Sequence, residues 1–234
     1  MLPALAFGHR TPYTTQRRNE PASMGNKTDI TLYTASTPNG IKVPILLEEL
    51  GLEYKKQPWF LDINPNGRIP AMTDIWTDGE QIRVFESGAI LEYLVDRYDG
   101  GYKVSYPKDS REYWEVKSWL MWQIGGLGPM QGQLEHFKKY AAKKIEYSIN
   151  RYHDETRRLY RTMESHLAKS SYGFLVGDRL TIADIACLGW VSSHTSDGIS
   201  LDELPHLEKW LDKLLERPGV KKGRDTLKRN TMFD

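Results

Sequence analysis

The spacing of apolar and polar residues over the first part of the chain predicts a small domain that mixes strands with helices. Short apolar runs bounded by turn residues indicate strands, and apolar residues that repeat every three or four positions indicate helices. The Asp78-Gly79 pair joins two of the strands as a hairpin. The predicted elements in chain order are strand 30–34, helix 41–50, strand 53–57, strands Ala71–Ile75 and Gln81–Phe85, and helix Ser87–Tyr98.

The second half of the chain predicts helices only. Residues 99–108 contain glycines and a proline without any periodicity, which is typical of a linker between domains. Thr181 and Asp184 have the spacing of a capping box at a helix start. Further predicted helices are 144–167 and 206–216, the latter ending near Pro218. The predicted domains are therefore a mixed α and β domain over 29–98 and an all-α domain over 109–234.

The first residues differ from the rest in composition. Residues 1–19 contain three arginines and no acidic side chain, a composition that resembles a transit peptide. Met24 stands just before the first predicted strand and favours instead a disordered extension over 1–28. We expect a cytoplasmic protein, with a mitochondrial location as the alternative if residues 1–23 act as a transit peptide.

Composition and charge argue against several classes of partner. The 32 Lys and Arg residues and 31 Asp and Glu residues give a net charge of +1, so no overall field attracts nucleic acid or a membrane surface. Apolar runs are far shorter than the ~20 residues that span a bilayer. Cys187 is the single cysteine, and no cluster of Cys and His has the spacing of metal ligands. We predict no nucleic-acid, membrane or metal partner, and a reducing compartment.

Three short segments carry candidate chemistry, and each has a purely structural alternative. Residues 36–40 lead into the first helix, where donors at the positive end of the helix dipole would stabilise a thiolate; a plain turn is the alternative. Arg68-Ile69-Pro70 contains an X-Pro bond that, if cis, exposes the Ile69 backbone to an extended peptide. Glu86 and Ser87 open a helix, where Ser87 would hold a carboxylate and Glu86 an ammonium group, or where Ser87 is only an N-cap.

Five blocks of sequence occur in order between residues 37 and 186. They read TPNGIKVPILLEELGL, NPNGRIPAM, FESGAILEYL, GGLGPMQGQ and LTIADIA. These blocks resemble the glutathione transferases, in particular the bacterial nu class and the fungal class named for the yeast nitrogen-regulator prion protein. The resemblance implies an α+β, thioredoxin-like N-terminal domain followed by an all-helical domain. It also implies a homodimer that uses glutathione, reduced or as its disulfide, as a cosubstrate.

The resemblance assigns the binding of glutathione to two of the three segments. Pro70 is expected to be the cis-proline, with Ile69 pairing with the cysteinyl backbone of glutathione and Arg68 in the same binding loop. Glu86 and Ser87 are expected to hold the γ-glutamyl end. These roles follow from the family pattern, to which the residues match position by position.

The resemblance also implies the catalytic residues and the activity. This class carries a Thr and an Asn near the sulfur, which fall here on Thr37 and Asn39, in place of the Tyr, Ser or Cys of other classes. Arg151 matches an arginine that approaches glutathione from the helical domain. The implied activity is disulfide-bond reduction, with weak conjugation of electrophiles. The alternative, that Tyr33 is a Tyr-type catalytic residue, fits the pattern less well than Asn39.

One segment departs from the family pattern. Relatives carry a longer stretch between the positions that match Tyr54 and Asn64. We therefore expect that the strand predicted at 53–57 is either lost or shifted in register. Either change would alter the contacts to the glycine end of glutathione.

A non-catalytic protein is the alternative to an enzyme. Such a protein would be a regulator, like the yeast relative, or a carrier of apolar small molecules. The long Asn-rich segment of the yeast relative is absent here, which favours the enzyme. Cys187 is predicted to be a small buried hydrophobe. The residues that either line an apolar pocket or pack between helices are Trp119, Met121, Trp122 and Met130.

Overall fold

The protein is represented by a computed structural model that describes residues 28–57 and 61–228. The predicted extension over 1–28 lies outside these ranges except for Thr28. The described residues form four strands, eight α-helices and two π-helical segments. The first domain contains β1 (Thr31–Tyr33), α1 (Lys42–Leu50), β2 (Lys55–Gln57), β3 (Ala71–Ile75), β4 (Gln81–Phe85) and α2 (Ser87–Tyr98). The second contains α3 (Arg111–Trp122), a π segment (Gln123–Leu127), α4 (Gly128–Glu135), a π segment (His136–Tyr140), α5 (Glu146–Leu167), α6 (Ile182–Val191), α7 (Pro205–Leu215) and α8 (Pro218–Lys228).

The strands form one mixed sheet in the order β2-β1-β3-β4. β2 runs parallel to β1, with Thr31 opposite Lys55, whereas β3 is antiparallel to both β1 and β4. A parallel strand–helix–strand unit followed by a hairpin and a helix is the thioredoxin-like arrangement that the sequence predicts. The second strand is present in the shortened segment, so its loss is ruled out. Residues 58–60, which follow it, lie outside the described ranges.

Helix α1 is the element on which both domains meet. Seven of its nine residues are buried, because α2, α6 and α8 all pack against it. Arg217, just before α8, donates to both carboxylate oxygens of Glu49 on α1, at 3.0 and 2.7 Å. α8 itself was not predicted, because Pro218 was interpreted as a helix stop. It stands instead at the first position of a new helix, where proline is favoured.

Helix α6 forms the centre of the second domain, with all ten of its residues buried. The predicted capping box at its start is confirmed. The Asp184 carboxylate accepts the backbone N–H of Thr181 at 2.9 Å, and also the N–H of Leu175 and the indole N–H of Trp210, each at 2.9 Å. These bonds satisfy three buried donors at once and fix the position of the α6 N-terminus.

No helix of the described ranges is both long and apolar enough to cross a bilayer. α5 has 22 residues but carries charged side chains along its length. Over the same part of the chain, no three or more His, Cys, Asp and Glu side chains come together as a metal site.

Candidate functional site

A cavity of about 670 Å³ opens between the two domains. This volume lies within the range of ~300–1,000 Å³ that is typical of small-molecule sites. The first domain contributes Thr37, Asn39, Asn64, Asn66, Arg68, Ile69, Pro70 and Glu86 to its lining. The second contributes Gln123, Ile124, Gly128, Pro129, Gly132, Gln133 and Trp190. The three predicted segments therefore converge on one cavity.

The amide of Asn39 is oriented from the opposite domain. Asn39 lies in the turn before α1, and the indole N–H of Trp190 donates to its Oδ1 at 3.0 Å. Because an indole nitrogen can only donate, the amide oxygen of Asn39, and not its NH₂ group, must face Trp190. The NH₂ group of Asn39 is then left to donate into the cavity that the residue lines.

The turn before α1 is also held by its own side chains. Thr37 Oγ1 accepts the N–H of Gly40 at 3.0 Å, and Thr34 Oγ1 donates to the Gly40 carbonyl at 2.8 Å. Because the Thr37 oxygen accepts the Gly40 bond, its hydroxyl hydrogen remains free to donate elsewhere. Thr37 is exposed at the cavity wall. The predicted donor pair, Thr37 and Asn39, thus lies on one short turn.

Helix α6 approaches this turn so closely that position 189 accepts only glycine. A Cβ on Gly189 would lie 2.1 Å from the carbonyl oxygen of Pro38. The ring of Trp190 is seated in a similar way, since a Cβ on Gly132 would lie 3.2 Å from its Cη2 atom. Backbone contact across the domain boundary therefore sets the position of the turn that carries Asn39.

The loop before β3 forms the second part of the first wall. Asn64 is buried; its Nδ2 donates to the Arg68 carbonyl at 2.7 Å, and its Oδ1 accepts the Asn66 N–H at 2.9 Å. The Ile69–Pro70 peptide bond is cis, as the sequence predicts. The strand pairings of β3 begin at Ala71, so Ile69 lies just outside the sheet, at the cavity.

The start of α2 forms the third part of this wall. Glu86 adopts φ 69° and ψ 124°, a left-handed conformation that costs a non-glycine residue ~1–3 kcal/mol and is concentrated at functional sites. The helix start has no side-chain cap, so its first N–H groups are open to an anion. Ser87 is the first helical residue, and its Oγ accepts a bond from Lys42 Nζ at 3.2 Å. The alternative that Ser87 is an ordinary N-cap is therefore wrong.

Three residues proposed for catalysis or binding do not line this cavity, and the first is Ser87, which is buried at the start of α2. Arg151 is exposed on α5, with its guanidinium 3.9 Å from the Glu155 carboxylate, and does not line the cavity. Its predicted contact with glutathione stays a prediction. Tyr33 is half-buried on β1 and likewise does not line the cavity. Cys187 is fully buried on α6, as predicted, and burial raises the pKa of its thiol.

The sequence analysis missed the residues that the second domain contributes to the cavity. The four aromatic and Met candidates do not line it; Trp119, for example, packs its ring 5.1 Å from that of Trp122. Trp190 and Gln123 line it instead. The glycines of the GGLGPMQGQ block were the available signal, because Gly128 and Gly132 leave the space that Trp190 fills. A contact between positions so far apart is not visible in one sequence.

Fold and site together define a class of protein, in which a thioredoxin-like domain and an all-helical domain share a ligand cavity at their junction. The family model of the glutathione S-transferase N-terminal domain matches residues 37–97. The model of the glutathione S-transferase C-terminal domain matches residues 127–218. The two matches cover more than half of the chain. The chain belongs to the glutathione S-transferase family.

The relatives include both enzymes and a regulator. The disulfide-bond oxidoreductase YfcG of Escherichia coli is 41% identical, over 82% of this chain and 92% of its own length. The transcriptional regulator URE2 of Saccharomyces cerevisiae is 33% identical, over 80% of this chain and 65% of its own. A glutathione transferase homologue from Lodderomyces elongisporus, crystallised with two GSH per subunit, has a TM-score of 0.81 at 41% identity, over 85% of this chain and 98% of that chain. The predicted resemblance to the nu and yeast-regulator classes is confirmed.

The close approach of α6 to the turn before α1 can be tested by stability. We expect Gly189→Ala to lower the free energy of unfolding by ~1–3 kcal/mol, because the added methyl group overlaps the Pro38 carbonyl. Gly125→Ala is the matched control, since a Cβ there meets no atom within 4 Å. Urea unfolding followed by fluorescence measures both. Equal midpoints for the two variants would contradict the close contact.

Proposed function

We propose that the chain is a glutathione-dependent disulfide-bond reductase with weak conjugating activity toward electrophiles. The observation that carries the proposal is the bond from Trp190 to the oxygen of the Asn39 amide, which leaves the NH₂ group available to a ligand in the cavity that Asn39 lines. The lining residues described for this cavity include no cysteine, so the reacting sulfur must arrive with the ligand. The relation to YfcG, a disulfide-bond oxidoreductase, supports the same reaction.

The geometry suits the stabilisation of a thiolate without a general base. Lowering the pKa of a thiol by one unit takes ~1.4 kcal/mol. A hydrogen bond to a charged group contributes ~1.5–3 kcal/mol, so the Asn39 amide alone is sufficient. The hydroxyl group of Thr37 is a second donor on the same turn. The turn lies at the start of α1, where the helix dipole also favours negative charge.

The proposed reaction needs two glutathione molecules per disulfide. The first, bound as a thiolate at Asn39, attacks one sulfur of the substrate disulfide, forming a mixed disulfide and releasing a thiolate that takes a proton from water. A second glutathione thiolate then attacks the glutathione sulfur of the mixed disulfide. The products are glutathione disulfide and two substrate thiols, and the protein is covalently unchanged. The relative crystallised with two GSH per subunit supports this stoichiometry.

The role of Asn39 is tested by turnover. We expect Asn39→Ala to lower reductase turnover about tenfold or more, equivalent to ~1.4 kcal/mol, because the thiolate loses its donor. Trp190→Phe, which keeps a ring but removes the N–H, should give a smaller loss in the same direction. The exposed Asn150→Ala is the control. Turnover is measured with a small disulfide by coupling product formation to glutathione reductase. Unchanged turnover in a folded Asn39→Ala enzyme would contradict the role of Asn39 as the donor to the thiolate.

Cys187 separates this mechanism from one that uses a protein thiol. Its buried thiol has a raised pKa, so it is not a nucleophile at neutral pH. We expect Cys187→Ser to keep most of the reductase activity, with a modest loss of stability from a hydroxyl placed among apolar neighbours. Mass spectrometry during turnover should find no glutathione on the wild-type protein. An adduct at Cys187, or an inactive folded variant, would require a cysteine mechanism instead.

The relation to URE2, which is a transcriptional regulator, supports a second candidate function. In this alternative the protein has the same fold but is a non-catalytic regulator or a carrier of apolar small molecules. Calorimetric titration with glutathione and with its disulfide distinguishes the enzyme from a carrier of apolar molecules, and turnover of a small disulfide distinguishes the enzyme from a regulator. An enzyme of the proposed kind binds both, whereas a carrier of apolar ligands binds neither.

We also propose a homodimer in a reducing, cytoplasmic compartment. The surface leaves several large apolar side chains exposed, which is common at subunit interfaces. Trp114 and Met121 on α3 are 65% and 52% exposed, and Trp76 is 43% exposed. Light scattering should give the mass of two chains, and a single-chain mass would contradict the dimer.

The single cysteine, which is buried, supports the proposal of a reducing, cytoplasmic compartment. Fractionation of the source cells would test this location.

A further inference from the structure

Lys42, the first residue of α1, is a completely buried cation beside the candidate site. Its Nζ donates to Gln123 Oε1 at 2.7 Å and to Ser87 Oγ at 3.2 Å. Among the described residues it forms no ion pair, so both of its partners are neutral oxygens. A buried ammonium group that is hydrogen-bonded only to neutral oxygens is destabilised by the loss of water, which makes this position unusual for a lysine.

The surroundings of Lys42 leave its ammonium charge poorly compensated. Burial lowers its pKa to about 7, while Cys187 and Glu86 act in the opposite direction. The groups that face it are Ser87 and Glu86 at the start of α2, Gln123 from the π segment, and Cys187 on α6. The Cys187 thiol is itself kept neutral by burial. Glu86 is therefore the one carboxyl group of this set, and it forms neither a hydrogen bond nor an ion pair with Lys42.

The bond from Lys42 also fixes the direction in which Ser87 donates. A hydroxyl group has one hydrogen, and the Ser87 oxygen accepts from Lys42. The hydroxyl hydrogen must therefore point away from Lys42 and is available to an anion at the uncapped start of α2. A carboxylate held there would be separated from the Lys42 nitrogen only by the Ser87 hydroxyl, so it would add a negative charge close to Lys42.

We propose that Lys42 is a positioning residue for the γ-glutamyl carboxylate of glutathione, and that it takes up a proton from solution when this carboxylate binds at Ser87. The proposal rests on the proposed binding of glutathione. The sign follows from the charges: a bound anion favours the ammonium form, so the pKa of Lys42 rises above its value in the free protein. Uptake is therefore expected above about pH 7 and should vanish about a unit or more below it, where Lys42 is already protonated.

Calorimetric titration with S-methylglutathione tests the proposal, because this ligand has no thiol to ionise. The titration is run at about pH 7.5, above the pKa of the free lysine, in buffers that differ in ionisation enthalpy. The slope of the observed enthalpy against that enthalpy counts the protons taken up. For the wild type we expect an uptake of about half a proton or more, falling to about zero near pH 5.5.

Two variants separate the Lys42 proton from that of the ligand's own amino group. Lys42→Met should bind the ligand more weakly and lose most of the uptake, whereas the amino-group contribution is the same in both proteins. Lys42→Arg, which stays charged at both pH values, should also lose the uptake but bind more tightly than Lys42→Met. A purely structural lysine would show no such difference in proton uptake.

The outcomes distinguish this proposal from the proposed function. Binding of S-methylglutathione with no buffer dependence, or with the same uptake in wild type and Lys42→Met, overturns the role of Lys42 alone. No binding by the folded wild type overturns glutathione binding and this proposal with it. Binding by the wild type without buffer dependence overturns the role of Lys42 even if neither variant folds.

Discussion

The contact between helix α6 and the turn before α1 is the constraint on which the site depends. Gly189 places the α6 backbone against the Pro38 carbonyl, and the next residue, Trp190, donates to the Asn39 side chain. The first domain thus carries the two donors that we propose for a sulfur atom, while the second orients the amide of one of them, Asn39. Neither domain presents the site alone, which explains why the cavity lies at their junction.

Two residues at this junction break local rules of protein structure, and each does so where a ligand group is expected. Glu86 has a positive φ, and Lys42 is a buried cation with two neutral partners. Such exceptions concentrate at functional sites, because the stability they cost is supplied by the rest of the fold. Here that support comes from the packing of α1 against α8 and from the Arg217–Glu49 ion pair, which hold the two domains together.

Much of the fold could be predicted from the sequence because its signals are local. The hairpin strands and α2 were predicted with their observed bounds, since Asp78-Gly79 and the helical period are short-range patterns. α8 was missed because proline both stops and starts helices. The Trp190–Asn39 bond, which joins residues 151 positions apart, has no local signal at all. The buried state of Lys42 was equally hidden, because a lysine at a helix start is usually exposed.

We propose that the Asn39 amide, oriented across the domain boundary, stabilises a thiolate of bound glutathione. The most direct measurement is the pKa of the glutathione thiol in the complex, obtained from the ultraviolet absorbance of the thiolate as pH is varied. For the wild type we expect a thiol pKa at least about one unit below that of free glutathione, with most of this shift lost in Asn39→Ala. A bound thiol that titrates like the free one would contradict it.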